Sequence, residues 1–397
     1  MEPPGPDSRS RVLIAGAGPV GLAAALRLAQ LGVPALVLER RMQLSRALKA
    51  CAWLPPTLEL FERLGVLEGL LTTGLAVQRI TYAHAGAAEA LASFDLGVLA
   101  DETRFPFRLH LDHGGVAAAL AARLAAYPHV QFAFDAEIVG VEEAADSVAV
   151  RVQSATGERI ERGAWLLAAD GADSVVRTRV GLALTAAAPA GRMLEVLTPA
   201  DLSEFLPGAA WVGWVGATAG WCSLLRMPDV WHVAMPLADE EDAQAALEEP
   251  ALRARLARFL PFGASVLPLV GHSVLSLRRE VAERFAAGRV LLAGDAAHLV
   301  QTRVGLNMNC GLHDALAAAE TLALALARPE RAEALVDEYA QTRRRIALEH
   351  LLPSAAQTLP DGPAWEAQIR AIAADPQRAR AWLRAASMFD WQDPPPA

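Results

Sequence analysis

The stretch RVLIAGAGPVGLAAALRLAQLGVPALVLE, residues 11–39, decides the fold. Residues 11–15 are an apolar run that reads as a buried strand, and GAGPVG follows at residues 16–21. Residues 22–31 carry a helical apolar pattern, Gly32 stops it, and residues 34–39 read as a second strand ending in an acid. Such a strand–helix–strand unit opens a Rossmann-like α/β domain. Gly16 permits the tight turn, Gly18 lets a pyrophosphate approach the backbone, and Gly21 lets helix and strand pack closely. Glu39 stands where a carboxylate meets a ribose 2′-hydroxyl, which disfavours a 2′-phosphate. The pattern points to a dinucleotide without separating NAD from FAD.

Two further strand-to-motif junctions lie outward of this unit. Residues 165–169 run into DGADSVVR at 170–177, and residues 289–293 run into GDAAH at 294–298. A long Ala/Leu helix is predicted over residues 314–327. Around residues 78–98 and 193–236 the pattern alternates and is rich in Trp, Val and Leu, which reads as antiparallel strands of a separate inserted sheet. The expected domains are a discontinuous nucleotide-binding domain with C-terminal helices (1–77, 99–190 and 268–397) and a substrate-binding sheet domain (78–98 and 191–267).

The chain has 397 residues, enough for two or three domains at about 150 residues each. With 53% hydrophobic and 20% charged residues it is neither disordered nor fibrous. A net charge of −9 argues against sequence-independent binding to nucleic acid. Cys51, Cys222 and Cys310 are too few and too dispersed for a disulfide framework or a zinc site, so reduced thiols and no metal are expected. The first ten residues are polar and proline-rich, without the apolar core of a signal peptide. Apolar runs such as 33–38 and 290–293 fall short of the ~18 residues of a spanning helix. A cytoplasmic monomer or homodimer without an integral membrane segment is the expectation.

In this order along one chain, GAGPVG, DGADSVVR and GRVLLAGDAAH resemble the class A flavoprotein monooxygenases, the para-hydroxybenzoate hydroxylase family; the likeness runs from residue 11 to about residue 327. The resemblance implies an FAD domain with an inserted sheet, NADH or NADPH as co-substrate, O₂, and an aromatic or polyunsaturated small-molecule substrate. It also implies oxygen transfer through a flavin C4a-hydroperoxide. Carried onto this sequence, the FAD contacts are Gly16, Gly18, Val20, Gly21, Glu39, Arg40, Arg46, His113, Asp170, Gly171, Gly294, Asp295, Gly305, Met308 and Asn309. Asp295 would bond a ribityl hydroxyl, and the Met308 and Asn309 amides would face the flavin pyrimidine edge. Other readings stay open: Asp170 as a plain helix cap with Arg177 as a surface partner, Arg46 as a solvated loop residue, and His113 as a structural histidine.

The chain also departs from the family. After His298 it reads Gln301-Thr302-Arg303-Val304-Gly305-Leu306-Asn307 where two prolines and a glycine-rich run are usual. Val304 narrows the space at the reactive flavin edge, Arg303 adds a cation there, and Asn307 replaces a glycine as the residue most tolerant of positive φ. Weak catalytic candidates are therefore Arg303, Ser223 and His113. In the strand predicted around Trp221–Met227, Ser223, Leu225 and Met227 share one face, and Leu225 stands where the family has a carboxylate-binding arginine. Trp211, Trp214, Trp221 and Trp231 are divided between an aromatic cavity and core packing. The alternative activity is an FAD-dependent dehydrogenase or redox-neutral cyclase without oxygen transfer.

Overall fold

The computed structural model describes residues 10–45, 49, 51–186, 191–206, 212–217, 220–260, 264–300, 305–356 and 363–391. A six-stranded sheet forms the first layer, in the order Ala286–Ala287, Val290–Leu292, Trp165–Ala168, Val12–Ala15, Ala35–Leu38, Val130–Ala133. Its strands run parallel except for the outermost, Ala286–Ala287. The strand Val12–Ala15 has every side chain buried, as a parallel strand covered on both faces must. Strand order reverses beside it, so the crevice at its carboxyl end is the natural ligand site.

Helix α1, Pro19–Gln30, begins three residues before the predicted start because Gly18 serves as N-cap and Pro19 takes the first turn. Gly16 has φ +96°, and a Cβ on Gly21 would lie 2.0 Å from the Gly16 carbonyl oxygen. Neither position tolerates a side chain. Helix α2, Pro55–Leu64, and helix α3, His113–Leu124, follow.

The second layer is a seven-stranded sheet ordered Gly271–Ser276, Arg192–Thr198, Trp231–Leu237, Gly220–Arg226, Val212–Ala217, Arg79–His84, Ala92–Asp95. The sheet is antiparallel, as expected, except where Val212–Ala217 pairs parallel with Arg79–His84. It corrects two expectations. It extends past residue 267, since Gly271–Ser276 pairs with Arg192–Thr198 along six residues. The last two helices, Pro363–Ala374 and Pro376–Ala386, pack on this sheet rather than on the nucleotide domain: Trp382 stacks on Phe94 at 4.1 Å, and Trp365 meets Tyr82 edge-on at 5.1 Å. Alternation assigns the sheet's faces. Leu194, Val196, Cys222, Leu224, Trp231 and Val233 enter one apolar core, while Met193, Glu195, Ser223, Leu225 and His232 turn the other way.

Helix α4, Leu306–Ala327, begins eight residues before the predicted start at residue 314. It is long and apolar enough to cross a membrane by length and composition; Asn307, Asn309, His313 and Asp314 had broken the apolar run. It packs between α1 and helix α5, Ala332–Ile346, and buries Leu312, Ala315, Leu316 and Ala319.

Candidate functional site

A cleft of about 360 Å³ opens at the carboxyl end of Val12–Ala15, lined by Gly16, Gly18, Val20, Glu39, Arg40, Asp170, Gly171, Asp295 and Met308. A Cβ on Gly18 would meet nothing within 4 Å, so its backbone faces free space at the start of α1. Glu39 is buried; one carboxylate oxygen accepts from the Ala17 amide at 2.9 Å and the other from the Arg41 amide at 3.0 Å. Those bonds hold the carboxylate at the end of Ala35–Leu38 and tie it to the glycine turn.

Asp170 accepts from the Ser174 hydroxyl at 2.6 Å and the Val176 amide at 3.1 Å, and Ser174 is itself the N-cap, accepting from the Arg177 amide at 2.9 Å. Arg177 is not a surface partner. It is 7% exposed and donates to the carbonyls of Ala296 at 3.0 Å and Ala172 at 3.2 Å, joining the second motif to GDAAH.

Behind the cleft lies a buried polar chain. Arg343 Nε donates to Asp314 Oδ1 at 2.7 Å, and Asp314 Oδ2 pairs with His298 Nε2 at 2.7 Å and accepts from the Gly294 amide at 3.1 Å. His298 Nδ1 faces Asn307 Oδ1 at 2.9 Å, and Asn307 Nδ2 donates to Asp295 at 2.7 Å. Asn307 Oδ1 also accepts from the Val300 amide at 3.0 Å, which fixes the orientation of its amide group. Both His298 nitrogens therefore face acceptors, the imidazole is held as its cation, and its proton affinity is raised well above the ordinary value by Asp314 despite burial. His298, Cys310 and Asp314 have ligand atoms within 4.8 Å of one another, but the Arg343 guanidinium already supplies the cluster's positive charge.

The same region corrects two expectations. Asn307 does not use positive φ; it lies in the first turn of α4, and Gly305, at φ +74°, takes the left-handed position as N-cap. The Asn309 amide lies inside the helix, bonding to the Gly305 carbonyl at 3.4 Å. Its buried side chain clamps residues 52–54 by donating to the Ala52 carbonyl and accepting from the Leu54 amide. Arg46, Trp211, Thr302, Arg303 and Val304 lie outside the described residues.

A second cavity, of about 470 Å³, shares Lys49, His113, Asp295 and Met308 with the first. Its far wall is the sheet, through Met193, Glu195, Trp214, Ser223, Leu225, His232 and Ser273. His113 stands at the junction as the first residue of α3, with Asp112 as N-cap; burial pulls its pKa down to about 4 and leaves it neutral. Of the described strand tryptophans, Trp214 lines the cavity and stacks on Tyr82 at 4.9 Å, while Trp221 and Trp231 serve the cores. Ser223 lines this cavity.

Glu195, His232, Ser273 and Arg108 line this cavity and were missed in the sequence. Glu195 lies 3.6 Å from His232 Nε2 and accepts from the Ser273 hydroxyl at 3.5 Å. Burial raises the Glu195 pKa to about 7 and lowers that of His232 to about 4. The available signal was an acid at an inward position of an alternating strand, MLEVL at residues 193–197.

A glycine turn open at Gly18, a ribose-height carboxylate at Glu39, and a half-buried Asp295 facing both cavities are residues that would hold FAD. The family described as FAD binding domain matches residues 9–351. The chain is 31% identical over 353 residues to the para-nitrophenol 4-monooxygenase of Pseudomonas sp. (strain WBC-3), covering 87% of this chain and 85% of that one. It is 29% identical over 363 residues to the 6-hydroxy-3-succinoylpyridine 3-monooxygenase of Pseudomonas putida (strain DSM 28022 / S16), covering 88% of each. The crystal structure of a p-nitrophenol 4-monooxygenase from Pseudomonas putida DLL-E4 superposes with a TM-score of 0.89 at 27% identity, over 98% of this chain and 99% of that one. Motif order, cleft and matches agree: the chain belongs to the FAD binding domain family and is a flavin-dependent monooxygenase of class A.

Proposed function

We propose that this chain hydroxylates a phenolic or hydroxypyridine-type small molecule, with NADH or NADPH as electron donor. The observation that carries the reading is the continuity of the two cavities: the dinucleotide cleft opens at Lys49, His113, Asp295 and Met308 into a space walled by the inserted sheet. The substrates named for both relatives are hydroxyl-bearing aromatic rings, which supports the same class here. The overall reaction consumes one O₂, one NAD(P)H and one proton per substrate, and releases hydroxylated product, NAD(P)⁺ and water.

When bound, FAD supplies the redox chemistry, accepting hydride and delivering activated oxygen to the ring. The protein's residues do the rest. Asp295, held by Asn307 at 2.7 Å, would hold the ribityl chain. The N-terminus of α4 borders both cavities at Met308 and places its positive dipole end beside developing negative charge. Met193, Val212, Trp214, Leu225 and Leu275 exclude water from the aromatic ring. Glu195 accepts the proton of the ring hydroxyl, which makes the ring electron-rich.

The test is NAD(P)H oxidation by the flavin-loaded protein under ¹⁸O₂ with a panel of phenols and hydroxypyridines. Substrate-stimulated oxidation with one labelled oxygen in the product is expected. Oxidation indifferent to every ring tested, with no labelled product, overturns the proposal. A second expectation concerns the cofactor grip. Asp295→Ala should weaken FAD binding by about 1.5–3 kcal/mol, the worth of a charge-assisted hydrogen bond, as measured by titrating apoprotein with FAD. An unchanged dissociation constant removes Asp295 from the cofactor site.

A further inference from the structure

Arg108 lies on the strand Arg108–His110, which pairs with Ala52–Trp53 and Leu75–Val77. It is 1% exposed and lines the 470 Å³ cavity. Its Nη2 donates to the Ala386 carbonyl at 3.1 Å, while Nε and Nη1 have no partner among the described residues. Among the described residues no carboxylate lies within ion-pair distance of it, and Glu195, the acid of the cavity's sheet wall, is engaged with Ser273 and His232 instead. Its neighbours bring no negative charge: burial keeps the Tyr82 hydroxyl protonated, and His110, with Nδ1 bonded to the Arg226 carbonyl at 2.7 Å, is neutral.

A buried guanidinium without a counter-ion is costly, and such a group persists where a ligand completes it. We infer that Arg108 is the specificity residue for an anionic oxygen, a carboxylate above all, carried by the aromatic substrate. This rests on the proposed hydroxylase reading and adds to it the substrate's charge. The same cavity is lined by the apolar side chains of Met193, Val212, Leu275 and Leu277 and, toward the dinucleotide cleft, by Lys49, so the ring packs on the apolar wall while Arg108 takes the charged substituent. Leu225, which lines the cavity from the seven-stranded sheet, leaves no cation at that position, and Arg108 supplies one to the same cavity from a separate three-stranded sheet.

The experiment is an equilibrium titration of the flavin-loaded enzyme, without NAD(P)H, followed by the flavin absorbance change. The probes are 4-hydroxybenzoate and its uncharged counterpart 4-methylphenol. The wild type should bind the carboxylate about 10- to 100-fold more tightly. Arg108→Met should abolish that preference and leave the 4-methylphenol constant within about 3-fold, while Arg108→Lys should retain part of it. A wild-type ratio near one, or a full preference surviving in Arg108→Met, overturns the assignment. Should Arg108→Met fail to fold, the wild-type ratio and Arg108→Lys decide. Because the titration needs no turnover, a carboxylate preference in a protein that hydroxylates nothing sinks the hydroxylase reading and leaves the subsite standing.

Discussion

Glu195→Gln is expected to lower the hydroxylation rate by about 10²- to 10⁴-fold while leaving flavin content unchanged, the range for loss of a positioned general base. The carboxylate lies on the strand Arg192–Thr198, with its side chain turned away from the apolar core formed by Leu194 and Val196. Burial without a cationic partner raises its pKa to about 7, because His232, its neighbour at 3.6 Å, is neutral. A base near 7 is matched to abstracting a phenolic proton at neutral pH. Only the ionised form accepts the proton, so kcat/KM should rise as pH increases through about 7 and then level. A phenol of ordinary acidity, about 10, stays protonated across that range and keeps the profile a report on the enzyme. In Glu195→Gln the limb should vanish along with the rate. A variant with a wild-type profile would place the proton acceptor elsewhere, and His232 would then be the group to replace, since it lines the same wall.

What could be read in the sequence was local. The strand–turn–helix at residues 12–30 is legible because Gly16 takes a left-handed turn, Gly21 packs on the Gly16 carbonyl, and Gly18 leaves the helix start open, all within a few residues. The motifs at Asp170 and Gly294 were legible through their order after the first one and the family resemblance that order carries, and all three line one cleft. What escaped depends on partners far along the chain. Arg177 looks like a surface residue until Ala296, 119 positions away, supplies its acceptor. Asn307 looks like a substitute for glycine until the folded chain brings Asp295, His298 and Val300 around its amide. Arg108 sits in an apolar run, where a lone arginine reads as an edge residue, and its burial follows from the C-terminal helix, through Ala386, and the sheet, through Tyr82, closing over it. Glu195 was passed over because alternation assigns a face without saying whether that face meets solvent or a cavity.

The other large effect should come from Asp314→Asn, a change of one atom that touches neither cavity. The carboxylate sits between two cations, Arg343 at 2.7 Å and His298 at 2.7 Å, with all three side chains buried. Those cations hold its pKa well below the usual carboxylate range despite burial. Removing its charge leaves the Arg343 guanidinium uncompensated in the core, which costs about 3–5 kcal/mol when one partner of a buried pair is lost. His298 has a second way out, since it can release its proton and stop donating to Asn307. The pH dependence separates the two contributions. The His298 pKa is raised by folding, so its share of the stability is complete below about 6.5 and lost as pH rises through the higher folded value. The Asp314 pKa is lowered, so its share is present above about 3.9 and lost as pH falls through the depressed folded value. Urea unfolding of the wild type should therefore show stability declining toward alkaline pH, and Asp314→Asn should lie about 3–5 kcal/mol lower near neutrality with that decline flattened. Its FAD affinity should fall as well, because the chain from His298 through Asn307 orients Asp295, and the Gly294 amide loses its charged acceptor. A loss under about 1 kcal/mol with an unaltered alkaline slope would mean that His298 is neutral in the fold and that the ion cluster does not hold the cofactor loop in place.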